Sequence, residues 1–388
     1  MDLVKIEKFD EVYVKIKAEP SIIMEMSEFF TFEVPGAKFM PAYRSKFWDG
    51  KVRLLNAMTG LLYAGLVKYV EEFCKTRNYE VEYLSEFTLD EFSIVEAKQF
   101  IKKLNPTMQP RDYQLDAFVH AVRERRSLLL SPTASGKSFI IYLLVRYYAK
   151  RTLIIVPTTS LVSQLASDFA DYGFDSDTFV HRVYAGQDKG STKPITISTW
   201  QSIYKLPKEF FDSFDVIIGD EAHLFKAKSL TSILTKLSGC RYRFGFTGTL
   251  DGTQTHKLVL EGLFGPVRKV TTTSELIEQK HLADFKIKAI VLSYPDEVRK
   301  MIARSSDYQS EMDYLVRLEA RNKFIRNLAL SLEGNTLLLF QYVEKHGKAL
   351  FNELTKEAEE SRNVFFVSGE VSGEDREGIR KITEGERN

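Results

Sequence analysis

A short string containing glycine, lysine and serine is the first candidate for chemistry in this chain. SPTASGKS, residues 131–138, follows an apolar run and precedes a helical pattern, which is the context of a phosphate-binding loop. Its backbone N–H groups can cradle a β-phosphate, its lysine can reach the β and γ oxygens, and its last serine can bind Mg²⁺. An ordinary surface turn is the alternative. The predicted nucleotide-binding residues of the loop are Thr133, Ala134, Ser135, Gly136, Lys137 and Ser138.

Two adjacent carboxylates supply the second half of that chemistry. DVIIGDEAH, residues 215–223, places Asp220 and Glu221 directly after an apolar strand pattern, at the edge where open α/β sheets bind ligands. Asp220 and Ser138 are predicted to hold Mg²⁺, and Glu221 to orient and deprotonate the water that attacks the γ-phosphate. A solvated acidic turn is the alternative. The sequence thus predicts hydrolysis of ATP with Mg²⁺, and the catalytic residues are Lys137, Asp220 and Glu221.

The segment from Arg111 to Leu282 must form the scaffold that positions these residues. Continuous apolar runs such as TLIIVP and DVIIG alternate there with helical stretches. Runs that are apolar on both faces belong to strands that are covered on both sides. The pattern predicts an α/β fold with a doubly wound, mostly parallel sheet, and it places both motifs at the ends of strands.

Different patterns flank this segment. Residues 1–104 contain short alternating runs and an amphipathic stretch, typical of a small α+β domain, and a linker with two prolines follows at 102–110. After residue 282, an alternating run at 285–295 and a charged helical region precede a renewed βα pattern, with strands over 336–343 and 363–369. We therefore predict three domains, 1–104, 105–282 and 283–388, of which the last is incomplete.

Composition excludes several classes of protein. The chain has 54 Lys and Arg against 53 Asp and Glu, so its net charge of +1 does not by itself predict a nucleic-acid partner. Cys74 and Cys240 lie far apart without CxxC spacing, which argues against a disulfide framework or a zinc site. The first residues lack a signal-peptide pattern, and no stretch approaches the about 20 apolar residues of a membrane span. We expect a cytoplasmic protein without membrane contact.

Six motifs in chain order resemble the first half of a superfamily 2 helicase motor. They are RDYQ (111–114), PTASGKS (132–138), VPTTSLVSQ (156–164), ISTWQS (197–202), DEAH (220–223) and TGT (247–249). Ser131 stands where the general phosphate-loop pattern has glycine, and a small residue before Pro-Thr is the form seen in helicases. The resemblance implies RecA-like motor domains, the first complete and the second incomplete.

The same resemblance assigns roles to individual residues. It places Arg111 and Gln114 at the ATP site, with Gln114 reading the adenine edge. It gives His223, Thr247 and Thr249 coupling roles, with His223 linking the two motor domains rather than being a packed polar residue. Hydroxyl and N–H groups at strand-to-helix turns suit contacts to phosphates. The residues that the resemblance places beside the nucleic-acid backbone are Pro157, Thr158, Thr199, Trp200 and Gln201.

A segment in the first hundred residues and a short later motif make the family resemblance more specific. FTFEVPGAKFMPAYRSKFWDGKVRLL (30–55) and YPDE (294–297) are similar to the UvsW-type phage helicases, which remodel branched DNA such as forks and Holliday junctions. Basic and aromatic residues interleave in this segment, a combination that binds phosphates and stacks on exposed bases. Arg44, Lys46 and Trp48 are the predicted DNA contacts. For Phe39 and Phe47, a place in the core of the small domain is an equal alternative.

One expected element is missing from the sequence. A superfamily 2 motor completes its ATP site with an arginine of the second domain, and no QxxGRxxR-like pair occurs here. We therefore expect the natural protein to continue beyond Asn388. The leading hypothesis is a monomeric, ATP-dependent DNA helicase acting on forks, Holliday junctions and R-loops in replication, recombination and repair. The alternatives are an RNA helicase and a nucleic-acid binding module without turnover.

Overall fold

The computed structural model describes residues 2–86, 89–184, 190, 192–224, 227–250, 254–284, 286–304, 307–358, 362–371 and 373–385. Backbone contacts divide the chain into two compact units, Met1–Asp284 and Phe285–Asn388. No helix among these residues combines the length and the apolarity needed to cross a membrane.

The first unit begins with a small α+β layer. Its four-stranded sheet has the order β5-β2-β1-β6, with β1 antiparallel to β2 and parallel to β6. Alternate residues of the first strand, Val4 and Ile6, are fully buried, as the alternating pattern predicts. A separate hairpin, β3 with β4, carries the loop of residues 34–50, called here the front loop. The elements are β1 Leu3–Lys8, β2 Tyr13–Lys17, α1 Pro20–Phe29, β3 Thr31–Glu33, α2 Pro41–Arg44, β4 Lys51–Arg53, β5 Leu61–Tyr63, α3 Val67–Arg77, β6 Glu80–Tyr83 and α4 Ile94–Leu104.

A seven-stranded sheet forms the centre of the first unit. Its order is β13-β7-β12-β11-β8-β10-β9, and every pair is parallel. Its elements are α5 Asp112–Glu124, β7 Arg126–Leu130, α6 Lys137–Tyr148, β8 Thr152–Val156, α7 Thr159–Asp171, α8 Ser176–Phe179, β9 Val180–Val183, β10 Ile195–Thr199, α9 Trp200–Ile203, α10 Lys208–Phe211, β11 Val216–Gly219, α11 Ala227–Leu234, β12 Tyr242–Thr247, α12 Gln254–Phe264, β13 Val267–Lys269 and α13 Thr273–Glu278.

Both faces of this sheet are covered. Ile155 and Ile217 belong to one hydrophobic cluster, and their chain neighbours Ile154 and Ile218 belong to another. Successive residues of a strand point to opposite faces, so two clusters require two covering layers. The predicted α/β fold with a doubly wound parallel sheet is confirmed. Because β12 lies between β7 and β11, the chain segments that leave these three strands meet at one edge.

One hydrophobic cluster joins the small sheet to the large one. It contains Val4 and Phe73 of the small layer together with Leu260 of α12. Tyr69 Oη donates to Glu261 Oε2 at 2.7 Å, and the backbone of Gly65 lies so close to α12 that an added Cβ would overlap the carbonyl oxygen of Glu261. The two sheets of this unit are therefore packed as one body.

A glycine substitution tests this close packing. Gly65→Ala is expected to lower the free energy of unfolding by about 1–3 kcal/mol, because the new methyl group must displace α12. Urea denaturation followed by tryptophan fluorescence measures the change. Gly239→Ala is the matched control, since a Cβ at that glycine meets no atom within 4 Å. Equal stability of the two variants would contradict the proposed contact.

The second unit is helical in the described residues. Its helices are α14 Asp296–Arg304, α15 Tyr308–Arg317, α16 Glu319–Ser331, α17 Lys348–Glu357 and α18 Gly373–Gly385, and Val343–Gly347 forms a π-helical turn. The strands predicted over 336–343 and 363–369 are wrong for this structure. Phe340 and Phe366 stack at 5.3 Å, but Leu337 and Leu339 are 84% and 82% exposed. Parallel strands are stable when both faces are covered, and here one face is open.

Candidate ATP site

The loop between β7 and α6 has the backbone conformation of an anion-binding site. Ala134 and Gly136 have φ angles of 63° and 75°, and such left-handed residues between right-handed ones turn successive N–H groups inward. Ser135 Oγ donates to Pro132 O at 2.6 Å, which holds the turn. The left-handed φ of Gly136 favours glycine, and an added Cβ would also displace the amide of Gln114. The backbone of the loop thus has the concave shape that can bind a phosphate group.

The lysine and the two acids converge at this loop. Lys137 Nζ forms an ion pair with Glu221 Oε1, and their side chains are 11% and 20% exposed. Glu221 has a left-handed φ of 50°, a sparsely populated conformation that is common at functional sites, and its N–H donates to Asp220 Oδ1 at 2.9 Å. Burial raises the pKa of Asp220 to about 6, and the Lys137 ammonium acts against this rise. The structure therefore brings together the three residues predicted to be catalytic.

The donor set fits a magnesium ion shared with phosphates. Hydroxyl and carboxylate oxygens of Ser138 and Asp220 are the ligands that Mg²⁺ prefers, and this ion keeps few protein ligands when a nucleotide supplies the rest. In the part of the chain that is described, no group of three or more His, Cys, Asp or Glu side chains could hold a metal on its own.

The segment RDYQ clamps the phosphate loop. Gln114 is buried, and its amide nitrogen donates to Ser135 O at 3.0 Å and to Gly136 O at 3.2 Å. Tyr113 Oη also donates to Ser135 O, at 2.9 Å, and accepts from Arg111. Both amide hydrogens of Gln114 are thus used by the protein, so its predicted reading of adenine requires a rearrangement and stays a prediction. A cavity of about 490 Å³ beside this segment is lined by Arg111, Tyr113 and His281.

A hydrogen-bonded chain links the acids to the end of β12. His223 Nδ1 lies 3.4 Å from Glu221 Oε2 and 2.7 Å from Thr247 Oγ1. Thr247 Oγ1 in turn donates to Thr249 O at 2.6 Å. A change at the carboxylate of Glu221 can therefore reach the TGT segment through a single side chain. The predicted coupling between two motor domains remains a prediction.

The residues predicted beside a nucleic-acid backbone form a neighbouring group. They follow β8 and β10, which are adjacent strands of the sheet. Gln201 Nε2 donates to Pro157 O at 3.3 Å, and Thr158 Oγ1 caps α7 by accepting from Leu161 N at 3.4 Å. Thr199 Oγ1 lies 2.8 Å from Ser202 Oγ, and Trp200 is half-buried. The group lies at the sheet edge that also carries the phosphate loop.

Two aromatic side chains of the front loop are exposed, contrary to one alternative from the sequence. Phe39 and Phe47 are 76% and 91% exposed, so the alternative that they form the core of the small domain is wrong. Arg44 and Lys46 are exposed as well. Trp48 is half-buried, and its indole N–H donates to Lys51 O at 2.8 Å. The loop itself is compact, because Val34 N donates to Gly50 O at 2.8 Å across its base and it contains the short helix α2.

Sequence patterns missed two buried residues that form hydrogen bonds between distant segments. Tyr172 Oη lies 2.7 Å from Ser138 Oγ, although no motif includes this tyrosine. Arg243, the second residue of β12, is fully buried and donates to three backbone carbonyls, those of Leu234, Leu237 and Leu263, at 2.8, 3.0 and 2.8 Å. A single arginine inside the apolar run YRFGFT is the only signal that could have indicated a buried cation.

Comparisons with known proteins agree with the geometry. The family described as "DNA helicase UvsW, N-terminal" matches residues 3–83, and "Type III restriction enzyme, res subunit" matches residues 107–252. The chain is 36% identical to the ATP-dependent DNA helicase uvsW of Enterobacteria phage T4, over 98% of this chain and 78% of that protein. It is 29% identical to the DNA 3'-5' translocase XPB2 of Sulfurisphaera tokodaii, over 57% of this chain and 52% of that protein.

A solved structure gives the same result. The crystal structure of T4 UvsW matches with a TM-score of 0.64 and 34% identity, covering 100% of this chain and 78% of that one. The seven-stranded sheet with its phosphate loop is accordingly RecA-like, and the chain belongs to the UvsW family of superfamily 2, ATP-dependent helicases that act on DNA.

Proposed function

We propose that this helicase remodels branched DNA, such as forks, Holliday junctions and R-loops, during replication, recombination and repair. The front loop is the observation that carries the proposal. Phe39 and Phe47 present exposed rings, and Asp49, the one carboxylate between Lys38 and Arg53, is paired with Arg53. Exposed rings beside cations favour DNA in which unpaired bases adjoin a duplex, because the rings can stack while the cations neutralise phosphates.

In this proposal, the charged side chains of the ATP site are in position before the nucleotide binds. The Lys137 ammonium exchanges its contact with Glu221 for the β and γ oxygens, which frees the Glu221 carboxylate to orient a water and take its proton. Thr133, Ala134, Ser135 and Gly136 bind the phosphates through the loop backbone. Ser138 and Asp220 hold Mg²⁺, which supplies charge neutralisation on the transferring phosphoryl group.

The small layer and the motor sheet form one surface for DNA in this proposal. Arg44, Lys46 and Trp48 engage DNA at the front loop, and the group after β8 and β10 contacts the backbone. The proposed protein has three domains, 1–104, 105–282 and 283–388. It is a monomer and acts in the cytoplasm of the host cell. His223, Thr247 and Thr249 couple hydrolysis to movement.

Stimulation of ATP hydrolysis by different nucleic acids tests the proposal. We expect forked DNA to stimulate ATP hydrolysis by the full-length protein. We expect Phe47→Ala to raise the fork concentration for half-maximal stimulation roughly tenfold, because stacking on one base is lost. Met58→Ala is the matched control, since Met58 is 97% exposed in the same layer but outside the front loop. Equal hydrolysis with and without forked or single-stranded DNA would contradict the proposal.

Two further outcomes separate the alternatives. Stronger stimulation by an RNA duplex than by a DNA duplex would favour an RNA helicase. Binding of forks without turnover by the full-length protein, independent of nucleotide, would favour a binding module.

A further inference from the structure

Tyr172 is a buried side chain at the phosphate loop with no assigned role. It directly follows α7, is 8% exposed, and places its hydroxyl oxygen 2.7 Å from Ser138 Oγ. The two residues are separated by 34 positions in the chain, so the contact depends on the packing of α7 against α6. A buried hydrogen bond between two hydroxyl groups holds both side chains in a defined geometry.

The ring of Tyr172 is fixed on several sides. It packs edge-to-face on Phe139 at 4.9 Å and lies 5.3 Å from the ring of Tyr142. Its backbone N–H donates to Asp168 O at 3.0 Å, and its carbonyl accepts from Thr107 N. The hydroxyl therefore cannot leave Ser138 by a simple rotation of the side chain, because neighbouring rings occupy the space.

A serine that binds a cation must solve a geometric problem. Its oxygen has to turn a lone pair toward the metal, so its proton needs an acceptor on another side. Such outer partners orient metal ligands and affect metal affinity. We propose that Tyr172 is the positioning residue for the nucleotide–metal site: its hydroxyl oxygen accepts the Ser138 proton and directs the serine lone pair toward Mg²⁺. The inference rests on the proposed assignment of Ser138 as a magnesium ligand.

The electrostatic surroundings agree with this arrangement. Burial raises the pKa of Tyr172, and the Asp168 carboxylate adds to the rise. The tyrosine stays a neutral hydroxyl at neutral pH.

The test compares nucleotide affinity with and without magnesium. A fluorescent ADP analogue is titrated with the full chain in excess MgCl₂ and in EDTA, and the ratio of the two affinities gives the magnesium-dependent gain. Tyr172→Phe is expected to reduce this gain about tenfold while leaving the affinity in EDTA unchanged. In Ser138→Ala, which lacks the ligand, a second change to Tyr172→Phe is expected to add nothing.

Tyr142→Phe is the matched control. Tyr142 lies in the same aromatic group and is 1% exposed, but its hydroxyl accepts from Arg146 at 3.3 Å and does not contact Ser138. Thermal unfolding of each variant in EDTA without nucleotide shows whether the fold is intact. A Tyr172→Phe variant with the wild-type gain, or with a larger gain, overturns the inference.

Other outcomes are equally decisive. A loss of the same size in EDTA, or the same loss in Tyr142→Phe, also overturns the inference, because either would show a structural effect alone. If wild-type protein shows no magnesium-dependent gain, the proposed ATP site itself fails. If that gain is present and Lys137→Ala abolishes binding while Tyr172→Phe changes nothing, only the role of the tyrosine fails.

Discussion

Glu221→Gln is expected to lower the rate of DNA-stimulated ATP hydrolysis by roughly 10²–10⁴-fold, the contribution of a positioned general base. Nucleotide affinity should be retained or should increase. The reason is the ion pair between Lys137 and Glu221, in which the carboxylate competes with the phosphates for the ammonium. An uncharged amide of the same shape removes that competition and also the proton acceptor. Steady-state kinetics and equilibrium titration of ADP measure the two effects separately.

Lys137→Ala distinguishes the phosphate-binding role of Lys137 from the role of Glu221 as general base. It removes the cation for the phosphates, so affinity and hydrolysis should fall together, and the half-buried Glu221 carboxylate loses this ion pair. If Glu221→Gln instead weakened nucleotide binding as strongly as Lys137→Ala while hydrolysis of bound ATP continued, the assignment of Glu221 as the base would be wrong.

Arg243→Met is expected to give the largest loss of stability, on the order of 3–5 kcal/mol in the free energy of unfolding. The guanidinium donates to Leu234 O, the last residue of α11, and to Leu263 O in the last turn of α12. Carbonyls at helix C-termini lack partners within the helix and carry partial negative charge, so a buried cation satisfies them. Methionine has a similar length but leaves these carbonyls buried without donors.

Urea denaturation followed by tryptophan fluorescence measures this loss. Both tryptophans, Trp48 and Trp200, lie in the same compact unit as Arg243, so the signal reports the relevant fold. Arg243→Lys is the control for charge, and it should restore only part of the stability because one ammonium cannot match the planar fork of donors. A methionine variant within about 1 kcal/mol of wild type would show that the carbonyls find other donors.

The amino-acid sequence alone was sufficient to predict the central parallel sheet and the residues at its edge. Runs such as residues 152–156 and 216–219 are apolar on both faces, and the structure makes them adjacent parallel strands. Carboxyl ends of parallel strands share one edge, so Lys137 after β7 and Asp220 after β11 had to approach each other once the sheet formed. Local pattern and sheet topology thus determined most of the candidate site.

Contacts between distant segments were not predictable in the same way. Tyr172 meets Ser138 because α7 packs on α6, and no spacing in the chain encodes that meeting. The exposure of Phe47 depends on how the front loop closes at Gly50, since aromatic residues in a small domain are usually buried. In the second unit, the apolar run 336–343 has strand composition, but composition cannot provide the neighbouring strand that completes a ladder.

The hydrophobic cluster that runs from the small sheet to α12 limits which parts of this protein can be exchanged with related helicases. The amino-terminal layer cannot be exchanged as a cassette cut at the linker of residues 102–110, because Gly65 and Tyr69 would face a foreign helix. A viable chimera has to carry α12 along with the amino-terminal layer.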